Sequence, residues 1–142
     1  MDFVEQSIVK IKNSGGRLTK NKKRVLEALN NINVPLNSNQ LAREIGISSE
    51  KIDSVTVYRI LKNFKNLKIV HQFDNGFISC EHLSCNNLDH CHHCFLCKKC
   101  NKVQDLHIED QNFLNLIQTQ FKSINITAHE FKFYGTCNQC IN

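Results

Sequence analysis

The sequence predicts an α+β chain in two parts: a run of short helices closed by a β-hairpin, then a smaller α/β unit organised around metal. Three observations carry this prediction. Residues 1–73 hold nine lysines and four arginines against six acids, whereas residues 74–142 hold five lysines against seven acids. All eight cysteines lie in the second stretch, as does every histidine except His71. Within it, residues 90–100 read H-C-H-H-C-F-L-C-K-K-C, seven of eleven side chains being thiol or imidazole. A basic half joined to a ligand-rich half points to a polyanion-reading module coupled to a metal-binding one.

The helices follow from periodicity. Val4, Ile8 and Ile11 share one helical face, ending at Gly15-Gly16. Thr19 is placed to cap a second helix, whose stripe is Val25, Leu26, Leu29 and Ile32 and which Val34-Pro35 stops. Asn37 or Ser38 caps a third, carrying Leu41, Ala42 and Ile45 and closed by Gly46. Asp53 opens a fourth with Val57, Ile60, Leu61 and Phe64 inward, which leaves Ser54, Thr56, Tyr58, Arg59 and Lys62 outward. Residues 69–73 and 77–80 then flank Asp74-Asn75-Gly76, a tight-hairpin signal. Helices followed by a hairpin make a winged helix-turn-helix over residues 1–83, whose second helix of the pair enters a major groove. Thr56, Tyr58 and Arg59 are the candidate base readers, with Lys20, Lys22, Lys23 and Arg24 placed for phosphates. The competing reading is a helical protein-interaction domain with a solvated basic face.

In residues 84–142, residues 95–96 and 103–106 read as short strands joined through a cysteine knuckle. Asp110 is placed to cap a helix carrying Phe113, Leu114, Ile117 and Phe121, and residues 126–134 read as a further strand. Cys97-Lys98-Lys99-Cys100 and Cys137-Asn138-Gln139-Cys140 are two C-x2-C clips, the spacing of an all-thiolate structural zinc site. Disulfides or buried free thiols are the alternative. So short a unit buries too little apolar surface alone, so zinc and a partner subunit would supply the missing stabilisation. No apolar run approaches the roughly 20 residues of a membrane span. The acidic start shows no export signal, and reduced thiols in a cytoplasm are expected. No nucleophile–base pair or phosphate loop marks an enzyme or a small-molecule substrate.

Gly16-Arg17-Leu18-Thr19-Lys20-Asn21-Lys22, Val25-Leu26, Thr56-Val57-Tyr58-Arg59-Ile60-Leu61, the His/Cys cluster and Tyr134-Gly135-Thr136-Cys137 with Cys140 together resemble the ferric uptake regulator (Fur) family over almost the whole chain. The resemblance implies an N-terminal winged helix, a C-terminal dimerisation domain, and a metal-dependent repressor that binds double-stranded operator DNA as a homodimer. It implies that Cys97, Cys100, Cys137 and Cys140 hold structural zinc and that Tyr58 and Arg59 read DNA. It also implies that metal-uptake genes are shut off when metal is plentiful.

Iron- and peroxide-sensing members carry H-x-H ending three residues ahead of the first clip cysteine, where this chain has His92-His93-Cys94. The hinge histidine typical of the iron branch, expected near Pro35, is also absent. His71, Cys80, a histidine before the clip (His90 or His92) and Asp105 resemble instead the sensing site of the zinc-uptake branch (Zur). A mixed thiolate, imidazole and carboxylate set suits tetrahedral Zn2+, whereas Fe2+ and Mn2+ prefer oxygen and nitrogen in six-coordination. The expectation is a second, regulatory divalent metal, zinc first, with an iron- or peroxide-sensing regulator as the alternative. Cys85, Cys91, His93 and Cys94 have no settled place in that pattern, and three readings stay open for them: a third site, substitution for the named ligands, or bystanders on a loop. Cys91, Cys94, Cys97 and Cys100 also repeat as part of an iron–sulfur run does, and a metal-buffering protein would need the ligands without the Thr56–Arg59 helix.

Overall fold

The computed structural model describes residues 1–81, 83, 93–127 and 129–141. Four helices come first: α1 (Phe3–Asn13), α2 (Lys20–Leu29), α3 (Ser38–Ser48) and α4 (Ser54–Asn66). Each begins where a side chain accepts an orphan backbone N–H. Asp2 and Asn37 form reciprocal capping boxes with Glu5 and Gln40, Thr19 accepts from Lys22, and Asp53 accepts from Thr56. Their inward stripes meet in one core, with Ile11, Leu26, Leu29, Leu41, Leu61 and Phe64 all fully buried.

Strands β1 (Val70–Phe73) and β2 (Gly76–Ser79) form an antiparallel hairpin. The register Phe73↔Gly76 leaves Asp74-Asn75 as a two-residue turn, so Gly76 belongs to the strand. Gly76 has φ 141°, and a Cβ there would stand 2.3 Å from the Leu36 carbonyl carbon. That close approach lets Leu36 and Phe77 exchange backbone hydrogen bonds of 3.0 and 2.8 Å, tying the segment ahead of α3 to the hairpin. Helices α3 and α4 with this hairpin are the expected winged helix-turn-helix.

The second sheet has three strands in the order β4 (Val103–Leu106), β3 (His93–Cys97), β5 (Lys132–Gly135), with β3–β4 antiparallel and β3–β5 parallel. The crossover from β4 to β5 carries α5 (Gln111–Gln120). The hairpin rests on this sheet. Phe73 and Ile78 pack with Cys94 and Leu96 in a small cluster of their own, and the Phe73 and Tyr134 rings meet edge to face at 6.1 Å.

Four local expectations need correction. The second helix ends at Leu29, so Ile32 lies beyond it and is only half-buried. The third does not close at Gly46 but runs on to Ser48, since Ser49 supplies the end: its N–H and its hydroxyl both donate to the Ile45 carbonyl. The strand expected over 126–134 is confined to Lys132–Gly135, because pairing with β3 spans only those four residues. Asp110 precedes α5 but makes no side-chain cap, its carboxylate being engaged elsewhere.

Candidate metal centres and nucleic-acid interface

Cys97 ends β3, Cys100 closes the knuckle to β4, and Cys137 and Cys140 follow β5. Parallel pairing of Cys97 with Gly135 brings the two clips together across the sheet. Each clip is a tight turn: Asn101 donates to the Cys97 carbonyl at 2.8 Å and Cys140 to that of Cys137 at 3.0 Å. All four Sγ atoms lie within 4.8 Å of one another, with Cys100 and Cys137 at 3.9 Å. A zinc tetrahedron with Zn–S near 2.3 Å has an edge of about 3.8 Å, so the donor set fits that ion. Backbone N–H groups of Cys100 and Cys137 pull the Cys97 thiol down to about 6, whereas sharing with the Cys137 thiol pushes Cys140 up to about 12. A bound divalent cation would hold all four as thiolates.

The second group joins the two sheets. His71 on β1, Cys80 just after β2 and Asp105 on β4 bring their donor atoms within 4.8 Å. His71 Nε2 lies 3.0 Å from one Asp105 oxygen, and the other accepts the Glu81 N–H at 2.7 Å. Burial alone would lower the His71 pKa, but hydrogen bonds to Asp105 and Cys80 override it and raise it to about 9. His90 and His92, expected to complete this group, lie outside the described residues, as do Cys85 and Cys91.

The sequence leaves a third site open around His93 with Cys85, Cys91 and Cys94, but reading it missed the partners that His93 has in the structure. His93 on β3, Asp110 ahead of α5 and His129 ahead of β5 also converge within 4.8 Å. His93 Nε2 stands 2.7 Å from an Asp110 oxygen that His129 Nε2 also contacts. Burial would raise the Asp110 pKa, yet the imidazoles of His129 and His93 hold it below the usual carboxylate range. The Phe131 N–H donates to His93 Nδ1 at 2.9 Å, which makes Nε2 the protonated nitrogen. Alternation along β3 separates His93 from Cys94, a signal available in the sequence; nothing there linked His93 to Asp110, which reads as a cap. Cys94 itself is fully buried between hairpin and sheet, where burial pushes its thiol up to about 12.

On α4, Tyr58 and Arg59 are exposed, and Tyr58 is braced edge to face on Phe77 of β2 at 6.4 Å. Thr56 is half-buried and its hydroxyl donates to Asp53 at 2.6 Å, so it serves the helix cap. Lys20 meets Glu50 at 3.4 Å with both side chains largely in solvent, a pair of little energetic weight. Lys22 donates to the Arg17 carbonyl at 3.0 Å, and Arg24 braces Asn21 and Ser49.

Comparison with known proteins settles the kinship. The ferric uptake regulator family matches residues 13–134. The chain belongs to the ferric uptake regulator family. As a Fur-family member it is a metal-responsive transcription regulator and not an enzyme. The peroxide-responsive repressor PerR of Staphylococcus saprophyticus is 24% identical over 137 residues, covering 96% of this chain and 90% of that protein. Among solved structures, a zinc uptake regulator complexed with zinc and DNA superposes with TM-score 0.76 at 18% identity, over 97% of this chain and 92% of that one. A holo form of the regulator XcZur gives 0.74 at 20% identity, over 96% and 95%. These likenesses concern the fold. Among the described residues of this Fur-family chain, no helix is long and apolar enough to cross a membrane.

Proposed function

We propose that this chain is a zinc-responsive repressor that binds palindromic operator DNA as a homodimer, with residues 1–83 as the DNA-binding domain and 84–142 as the dimerisation domain. The observation that carries this reading is the place of the His71, Cys80 and Asp105 group. Two of its donors come from the hairpin of the winged helix and one from the sheet beyond it. Holding those three together fixes how α4 is presented relative to the rest of the subunit, and in a dimer that sets the separation of two recognition helices. A buried cysteine sulfur among them favours zinc over iron or manganese. Cys97, Cys100, Cys137 and Cys140 would hold a structural zinc, which stabilises the fold and leaves no open coordination position. By linkage, operator DNA must tighten binding at the regulatory group by the factor with which that binding tightens DNA. The similar structure named as a zinc uptake regulator complexed with zinc and DNA supports this reading.

A second reading, an iron- or peroxide-responsive regulator, is favoured by the third group. Its nitrogen and oxygen donors suit a harder ion, and the PerR relatives point the same way. Against it, the Phe131 N–H occupies His93 Nδ1, so an ion on Nε2 would leave that ring with neither proton. The deciding experiment measures operator binding by wild type and Cys80→Ser across zinc, Fe2+ and Mn2+, with elemental analysis of both proteins. The zinc reading predicts that wild type responds to zinc, and that Cys80→Ser stays a folded dimer retaining one zinc but loses the response. Normal activation of Cys80→Ser by iron or manganese would establish the second reading instead.

A further inference from the structure

Lys132 makes a tie between sheet and hairpin that owes nothing to the thiols or imidazoles. It opens β5, paired with Cys94 on β3, and its Nζ donates to the Gln72 carbonyl on β1 at 2.6 Å. The same ammonium lies 5.5 Å from the centre of the Phe73 ring and 3.0 Å from Glu130. Its side chain is only 25% exposed, so these contacts are made largely out of water, where a charged donor counts for more. Gln72 passes the tie onward: its side-chain oxygen accepts from Lys65 at 3.0 Å and lies 3.5 Å from Lys62, both on α4. Strand alternation turns the neighbouring His71 side chain the other way, to Asp105 and Cys80. Residues 71 and 72 therefore connect the candidate regulatory group, the sheet and the recognition helix.

We propose that Lys132 is a latch, a positioning residue that holds the hairpin on the sheet in the arrangement that His71, Cys80 and Asp105 need in order to act together. This rests on the regulatory role proposed for that group. A latch sets the fraction of molecules already competent to bind metal, and apparent affinity scales with that fraction. Lys132 thus sets the metal threshold of the regulator without being a ligand.

The test compares wild type, Lys132→Met and Lys132→Arg as full-length proteins. Methionine keeps the apolar stem over Phe73 but removes the ammonium, and arginine restores a charged donor. Zinc beyond the tightly held first equivalent is titrated in competition with a chelator, without DNA. Binding to a duplex selected by the wild type from random-sequence DNA is then measured at saturating zinc. Lys132→Met should weaken the second zinc on the order of tenfold, the worth of a hydrogen bond to a charged group, and Lys132→Arg should recover most of it. Duplex affinity at saturating zinc and the oligomeric state should match wild type. An unchanged second zinc affinity in Lys132→Met overturns the latch, as does a loss that persists at saturating zinc, which would show general damage. If wild type binds a second zinc that has no effect on DNA, the proposed function fails while the latch is still decided by the zinc titration.

Discussion

His71 is under opposing pressures. Burial favours the neutral ring, and Asp105 with Cys80 favours the charged one strongly enough to raise its pKa to about 9. Its ordinary value is 6.5, so the protonated ring stabilises the folded state in full below about pH 6.5, and that contribution is lost as pH rises towards 9. With only the four-cysteine group loaded, the melting temperature should therefore fall between pH 6.5 and 9, and His71→Ala should flatten the fall. A ligand imidazole must be neutral, so apparent zinc affinity at this group should rise over the same window, by up to about tenfold per pH unit for one proton released. Calorimetry and chelator competition at three pH values check both. A melting temperature independent of pH would show that His71 is not charged in the folded protein.

At the level of elements, α4 divides its labour by position. Asp53 and Thr56 secure its first turn, Val57, Ile60, Leu61 and Phe64 bury its inner face, and Tyr58 and Arg59 stay exposed. Arg59→Ala should weaken binding to the specific operator by about 1–3 kcal/mol and leave random duplex nearly untouched. Lys22→Ala, at the start of α2, should weaken both alike and reduce the salt dependence by about one phosphate contact. Titrations against operator and scrambled duplex at several salt concentrations separate the two. Equal losses for Arg59→Ala on both duplexes would remove base reading from α4.

At the scale of the whole molecule, α5 has no buried residue, and Leu116 and Phe121 are 53% and 54% exposed. Phe133 and Tyr134 on β5 are exposed as well. An apolar surface of this kind is what an obligate dimer covers. The double variant Leu116→Asp, Phe121→Asp should sediment as a monomer and lose cooperative binding to a palindromic operator. Cys140→Ser should do more, unfolding the second part of the chain, because zinc binding by the four thiols is itself folding free energy. Loss of the far-ultraviolet and dimer signals together in Cys140→Ser checks this, and a folded dimer after exhaustive chelation would refute it.

Features that depend on local rules were legible in the sequence. Helical stripes placed the five helices among the described residues, and caps were read rightly for α2, α3 and α4, because a capping side chain and an apolar face act within one or two turns. Clip spacing pointed to Cys97 with Cys100 and Cys137 with Cys140, although Cys91 and Cys94 share that spacing, and the parallel pairing of Cys97 with Gly135 brings these two clips together. Local rules failed where an atom has two uses. Asp110 stands where a cap belongs, but its carboxylate faces two imidazoles brought by β3 and by the segment before β5, and they take the place of a helix N–H. Thr56 sits on the outward face by periodicity, yet its hydroxyl is taken by Asp53. The convergence of His71, Cys80 and Asp105 follows from long-range packing, because the register of two separate sheets and the packing of Phe73 and Ile78 on Cys94 and Leu96 bring them together. The tie from Lys132 to Gln72 crosses 60 residues of chain, and no periodicity reports a contact of that range.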